Sequence, residues 1–265
     1  YDKSDGFVCQ SGRHKVFLMK LLASLIFFTR LPFWRITEVP ARYYSRVVDL
    51  WSATGWLTGS ITAGSLWLAW HVFPPLTAVI AAISARLLVT GALHEDGLAD
   101  FMDGMGGGTT KERILAIMKD SHIGTYGVIG LTIYFMLLVT AVSSLPMKAA
   151  CIAILAADPW SKFCASQIIN LLPYSRTREE AKNKTVYDRM KPGQWTVSFL
   201  FGALPLLLLP VSCLWAALFP VITASLLIMF MRNKIDGYTG DCCGAVFLLS
   251  ELSFLLAVTA IYRLA

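Results

Sequence analysis

Charged side chains are scarce in this 265-residue chain: Asp, Glu, Lys and Arg together make up 15% of it, against about a quarter in soluble domains. Hydrophobic residues reach 56% and mean hydropathy is +0.60. The apolar residues fall in runs such as Phe199–Pro210 and Val246–Ile261, greasy on every side, which suits lipid better than a soluble helical core. No CxxC spacing joins the six cysteines, and four of them lie within or at the ends of apolar segments. That excludes a zinc ribbon and argues against a disulfide framework. No basic run is interleaved with aromatics, which excludes nucleic acid as a partner; the net charge of +6 fits loops held beside anionic lipid. Gly106-Gly107-Gly108 lacks the GK[ST] of a P-loop, so it reads as a connector. No internal repeat is visible, which argues against an inverted-repeat transporter.

Seven apolar segments can be drawn, at 47–70, 75–93, 124–145, 149–171, 196–212, 214–231 and 244–262. Each approaches the roughly 20 residues needed to span a bilayer. The expected fold is all-α: a polytopic membrane bundle of about seven transmembrane helices, in one catalytic domain over 19–265. Leu21–Leu31 is expected to form an N-terminal interfacial helix. Residues 1–18 read as a disordered or appended extension, with Met19-Lys20 resembling a natural start. Phe17–Leu31 runs into Thr29-Arg30-Leu31-Pro32, with no small-residue cleavage site. The loops 30–46, 94–123, 172–195 and 232–243 hold fifteen Lys and Arg residues, and the opposite loops hold only Lys148 and Arg263. That bias predicts an inner (cytoplasmic) membrane protein whose long loops face the cytoplasm.

The informative stretch is His94-Glu95-Asp96-Gly97-Leu98-Ala99-Asp100-Phe101-Met102-Asp103-Gly104. On a helix, Asp96, Asp100 and Asp103 are spaced i, i+4, i+7 and share one stripe. Like charges so placed repel, and a divalent cation would turn that repulsion into ligation. Magnesium takes carboxylate oxygens together with water and substrate phosphates. The competing reading is a solvated helix end whose Asp-Gly pairs mark turns. His94 falls opposite the stripe, as a base, a phosphate ligand or a structural residue, and Glu95 points away. Downstream, Lys111–Met118 reads as a short amphipathic helix leading to Lys119-Asp120-Ser121. Asp120 is a candidate to complete a metal site and Lys119 to meet a phosphate.

His94-x-Asp-Gly-Leu-Ala-Asp-x-x-Asp-Gly, followed by Ile-Met-Lys-Asp-Ser-x-x-Gly-Thr-Tyr-Gly at 117–127, resembles cobalamin synthase, the adenosylcobinamide-GDP ribazoletransferase family. Phe28-Thr29-Arg30-Leu31-Pro32, Gly237-x-Thr239-Gly240-Asp241-x-x-Gly244-Ala245 and Glu251-Leu252 continue the likeness in family order. The resemblance implies a membrane transferase of cobalamin biosynthesis that joins α-ribazole, or its 5′-phosphate, to adenosylcobinamide-GDP and releases GMP. It implies Mg²⁺ as cofactor, with Mn²⁺ as a substitute, held by Asp96, Asp100 and Asp103. It places His94 and Asp120 among the catalytic residues, and Lys119, Ser121, Arg178, Thr239 and Asp241 against substrate. Membrane lipid and a homo-oligomeric partner are compatible with it. For Asp241, helix capping is the competing reading.

The chain departs from the family pattern where Arg178-Glu179-Glu180 runs into Ala181-Lys182-Asn183 in place of a Gly-Leu-Gly-like turn. It departs again at Lys162, which stands where an Arg is expected, with Asp158 four residues before it. Arg86, in mid-span, requires a partner that the sequence does not name. A CDP-alcohol phosphotransferase also uses an aspartate-rich helix, but its pattern has Ala-Arg after the first Asp-Gly, where this chain has Leu98-Ala99. An ion-coupled transporter would place its carboxylates at mid-membrane instead of at one face.

Overall fold

The computed structural model describes residues 4–175 and 186–264, with side chains from His14 onward. Helix α1 runs Ser4–Phe28, so the backbone is already helical within the stretch read as an extension; no proline interrupts it before Pro32. Lys20 pairs with Asp49 at 2.8 Å and the Ser24 hydroxyl donates to the Val47 carbonyl. These contacts dock α1 on a 3₁₀ segment, Ala41–Leu50. There follow α2 (Trp51–Trp70), α3 (Pro75–Thr90), α4 (Leu93–Gly107), α5 (Lys111–Lys119), α6 (Thr125–Ser143), α7 (Met147–Ser166) and the single turn α8 (Ile168–Leu171). Beyond the undescribed stretch come α9 (Pro192–Ala203), a 3₁₀ continuation over Leu204–Leu208, a second 3₁₀ run Val211–Ala217 leading into α10 (Leu218–Ile235), and α11 (Gly240–Leu264). Prolines start α3 and α9 at the first helical position, where the missing N–H costs nothing. Among the described residues there is no strand, only an isolated bridge between Tyr174 and Tyr238.

Among the described residues, three helices are long and apolar enough to cross a membrane: Thr125–Ser143, Val211–Ile235 and Gly240–Leu264. The pair α3 and α4 forms a fourth if counted together, bent by 93°. Gly91 and Ala92 make that corner with φ of 65° and 54°, a left-handed pair that ends α3 and swings α4 across the bundle. α2 and α7 are 20 residues each, but Thr54, Thr58 and Thr62 in one and Asp158 and Lys162 in the other dilute their hydropathy. α6 exposes Ile129, Ile133 and Met136, and α10 exposes Ile222, Leu226 and Met229. Those are i, i+4, i+7 stripes of apolar side chains turned away from the protein, as lipid-facing helices require. The chain is thus an all-helical membrane protein.

The centre is α7 and α11, with α2 packed against α7. Gly55 and Gly59, four apart on α2, permit that approach: a Cβ at Gly55 would come within 2.7 Å of Pro159 Cα, and one at Gly59 within 3.3 Å of Asp158 Cβ. Small residues let membrane helices pack backbone to backbone. The second GxxxG pair divides: Gly244 is used in a helix crossing, while Gly240 has open space beside it.

Candidate active site

α4 and the start of α11 cross at two glycines. A Cβ on Gly97 would lie 3.1 Å from Asp241 Cα, and one on Gly244 would lie 3.2 Å from His94 Cα. With the two backbones held this close, Asp96 on α4 and Asp241 on α11 line the same cleft. Its empty space, counting the open mouth, is about 870 Å³. Asp96 is exposed and Asp241 half-buried. Thr239, fully buried, precedes α11, and its hydroxyl accepts from the Cys242 N–H and lies 3.4 Å from an Asp241 oxygen. Capping of α11 therefore falls to Thr239, leaving Asp241 on the first turn beside the cleft.

The lining also includes His94 and the aromatic side chains of Phe27, Phe28, Trp51, Tyr174 and Tyr187. His94 is only 3% exposed. Its ring lies nearly parallel to Phe28 and Trp51, at centroid distances of 6.0 and 5.7 Å, and meets Phe247 edge-on at 4.9 Å. Burial holds the Tyr187 phenol well above its usual pKa, so it stays protonated at neutral pH. The aromatic character of this cleft was visible in the sequence only as Phe27-Phe28 ahead of the Thr-Arg-Leu-Pro motif.

The aspartate stripe does not converge on one point. Asp103, 7% exposed, accepts the Gly124 N–H at 2.7 Å through one oxygen and the Gly127 N–H at 2.8 Å through the other. It thereby holds the first turn of α6, a favourable place for negative charge. Asp100 is half-buried between the two. Among the described residues, no group of three His, Cys, Asp or Glu side chains stands close enough to hold a metal ion. Asp96 and Asp241 both line the cleft and are donors of the kind magnesium takes, one or two carboxylates with other positions left to water and substrate phosphates. Lys119 ends α5, and Asp120 and Ser121 follow on the α5–α6 connection; all three are exposed and are not part of the cleft lining. The His122 side chain and backbone N–H, at 2.6 and 3.0 Å, hold the Asp120 carboxyl below its usual pKa. Arg178 lies outside the described residues.

Two buried charge clusters support the cleft. Arg86 donates to Glu251 on α11 at 2.6 Å and to the Tyr134 hydroxyl on α6 at 2.9 Å, and lies 3.4 Å from Glu95 on α4. One α3 side chain thus ties together the helix carrying Asp96 and the helix carrying Asp241. Lys162 pairs with Asp158 at 2.5 Å and donates to the Thr58 hydroxyl at 2.7 Å, and Thr58 donates to Asp158. The Lys162 ammonium also lies 4.8 Å from the centroid of Phe247, the ring that His94 touches. Sequence reasoning left Glu95 aside and did not pair Arg86 with Glu251. The usable signal was depth: a charge in an apolar segment requires an opposite one at the same level, and acids inside apolar segments are few.

The Cobalamin-5-phosphate synthase (CobS) family model matches residues 20–259. The chain is 37% identical over 242 residues to the adenosylcobinamide-GDP ribazoletransferase of Ralstonia nicotianae, covering 88% of this chain and 93% of that protein. It is 32% identical over 260 residues to the enzyme of that name from Leptospira interrogans (91% and 94% covered). It is 34% identical over 242 residues to the one from Shewanella frigidimarina (90% and 93% covered). No solved structure matches the chain. With a match that runs from α1 nearly to the end of α11, and the Asp-rich α4 and the Gly-Asp start of α11 meeting in one cleft, the chain belongs to the cobalamin-5-phosphate synthase family.

Proposed function

We propose that this protein is an adenosylcobinamide-GDP ribazoletransferase, which joins α-ribazole or its 5′-phosphate to adenosylcobinamide-GDP and releases GMP in the last step of nucleotide loop assembly. The observation that carries the reading is the crossing of α4 and α11, which turns Asp96 and Asp241 into one aromatic-lined cleft. A ribose hydroxyl oxygen bonds to the corrinoid-side phosphorus, the bond from that phosphorus to the GMP oxygen breaks, and the hydroxyl proton is released. The family's product description includes a 5-phosphate, so the attacking oxygen is a ribose hydroxyl other than the 5′ one. Asp96 and Asp241 would hold Mg²⁺, with Mn²⁺ as a substitute and Asp100 beside them. The ion would neutralise charge gathering on the pyrophosphate oxygens. Asp103 keeps the α4–α6 junction in place, and Arg86 through Glu95 and Glu251 holds the two walls at fixed spacing.

The same reading places seven crossings in the inner membrane: α2, α3, α6, α7, α9 with its 3₁₀ continuation, Val211–Ile235 and α11. The cleft then opens to the cytoplasm, on the side of the fifteen basic loop residues. Membrane-impermeant maleimide added to intact cells should label Lys148→Cys and spare Lys234→Cys; the reverse pattern would overturn the orientation. For the reaction, the purified protein in liposomes should release GMP from adenosylcobinamide-GDP and α-ribazole only when Mg²⁺ or Mn²⁺ is present. Asp96→Asn should lower kcat by roughly a hundredfold or more. Undiminished turnover in that variant, or in excess chelator, rejects the assignment of the ion to this cleft.

A further inference from the structure

Half of the cleft is explained by phosphate chemistry and half is not. Asp96 and Asp241 belong to the end where a cation and a pyrophosphate meet. The remaining lining includes a floor of Phe28, Trp51 and His94, with Tyr187, Val48, Leu93 and Cys243 around them, an apolar and aromatic surface that phosphate chemistry does not call for. Within that floor two ring nitrogens, Trp51 Nε1 and His94 Nε2, are buried and have no hydrogen-bond partner among the described residues. An unpaired buried polar atom is costly, a penalty that a ligand atom of the right kind would remove. The Phe28, Trp51 and His94 rings lie within 22° of parallel to one another, a grain that suits a flat ligand. Charge is absent from the floor, which disfavours a phosphate or a carboxylate there.

We infer that this floor is the subsite for the heteroaromatic base of the acceptor nucleoside, with the Trp51 indole N–H donating to the base's unsubstituted ring nitrogen. The inference rests on the transferase reading above and adds where the acceptor sits. An indole N–H is only a donor, so the ligand atom opposite it is an acceptor, as the second nitrogen of a benzimidazole is. His94 offers one further nitrogen of either polarity. Guanine, the other flat base in the reaction, carries both donors and acceptors along its edge, and this floor would leave most of them unpaired. A base seated here leaves its ribose toward the carboxylate end, where the attacking hydroxyl is needed.

The test is equilibrium dialysis of labelled α-ribazole, and of its analogue with C–H in place of the free ring nitrogen, against purified protein, with GMP release measured in parallel. The wild type should bind the analogue about tenfold more weakly, the loss expected for one buried hydrogen bond. Trp51→Phe should bind both equally, at the level of the analogue. Tyr187→Leu, outside the parallel stack, should weaken both by about the same factor and leave the discrimination intact. Equal wild-type affinity for the two nucleosides, or displacement of α-ribazole by guanosine at comparable concentration, would overturn the subsite. The wild-type comparison needs no substitution, so a Trp51→Phe protein that fails to fold would not spare the proposal. Binding with discrimination but no GMP release would retain the subsite and reject the transferase reading; GMP release without discrimination would do the opposite.

Discussion

Asp103→Asn separates the proposed ion-binding role of Asp96 from a structural carboxylate on the same helix stripe. In the native protein, the two Asp103 oxygens each take one backbone N–H, from Gly124 at 2.7 Å and from Gly127 at 2.8 Å. Asparagine keeps one acceptor and turns an NH₂ toward the other N–H. One charge-assisted bond is lost, worth roughly 1.5–3 kcal/mol, and the charge at the α6 N-terminus goes with it, worth about 0.3–1 kcal/mol. The sum is about 2–4 kcal/mol. At roughly 2–4 °C per kcal/mol for larger chains, melting in detergent should fall by about 5–15 °C. Measured well below the lowered transition, GMP release should remain within a few-fold of the wild type and its Mg²⁺ midpoint should not move. Asp96→Asn, on an exposed residue, should show the mirror image: unchanged melting and lost turnover. An Asp103→Asn protein that melts like the wild type but has no activity would refute the structural assignment and restore Asp103 to the ion.

Other outcomes follow from the same geometry. Arg86→Gln leaves Glu95 and Glu251 buried beside a neutral amide, and breaking such a cluster should destabilise by about 3–5 kcal/mol; detergent melting curves check it. The double variant Arg86→Met with Glu251→Leu should recover part of that loss, because the charge that most needs a partner is gone. Gly97→Ala would place a methyl group against the α11 backbone, so turnover should drop with little change in helix content by circular dichroism. Lys162→Met should be destabilising because Asp158 loses its 2.5 Å partner, and Asp158→Asn in the same chain should relieve it.

The all-helical class and the apolar runs suited to a membrane were legible because each depends on residues close together in the chain. A run such as Val246–Ile261 needs no partner to be apolar, and Pro74-Pro75, Pro146 and Pro192 end or start helices by local sterics. Basic loops can be sorted by side from composition, and the spacing of Asp96, Asp100 and Asp103 puts them on one stripe by helical period. Membership of one stripe says nothing of what each residue meets, however. A helix surface turns through about 100° per residue, and small departures decide whether a carboxylate opens to a cleft or caps a neighbour. Thus Asp96 faces the cleft and Asp103, seven residues on, holds α6.

What only the tertiary structure decided lies across long stretches of chain. The sequence by itself determined a membrane bundle with an acidic α4 at its edge, because hydropathy and helical period are local properties. It could not show that Gly97 and Gly244 bring Asp96 to Asp241, nor that Arg86 reaches Glu251 165 residues away. Nor could it gather Phe28, Trp51, His94 and Tyr187 into one floor. Those contacts follow from which helix pairs the small residues allow to touch, and packing of that kind is set by all the helices at once.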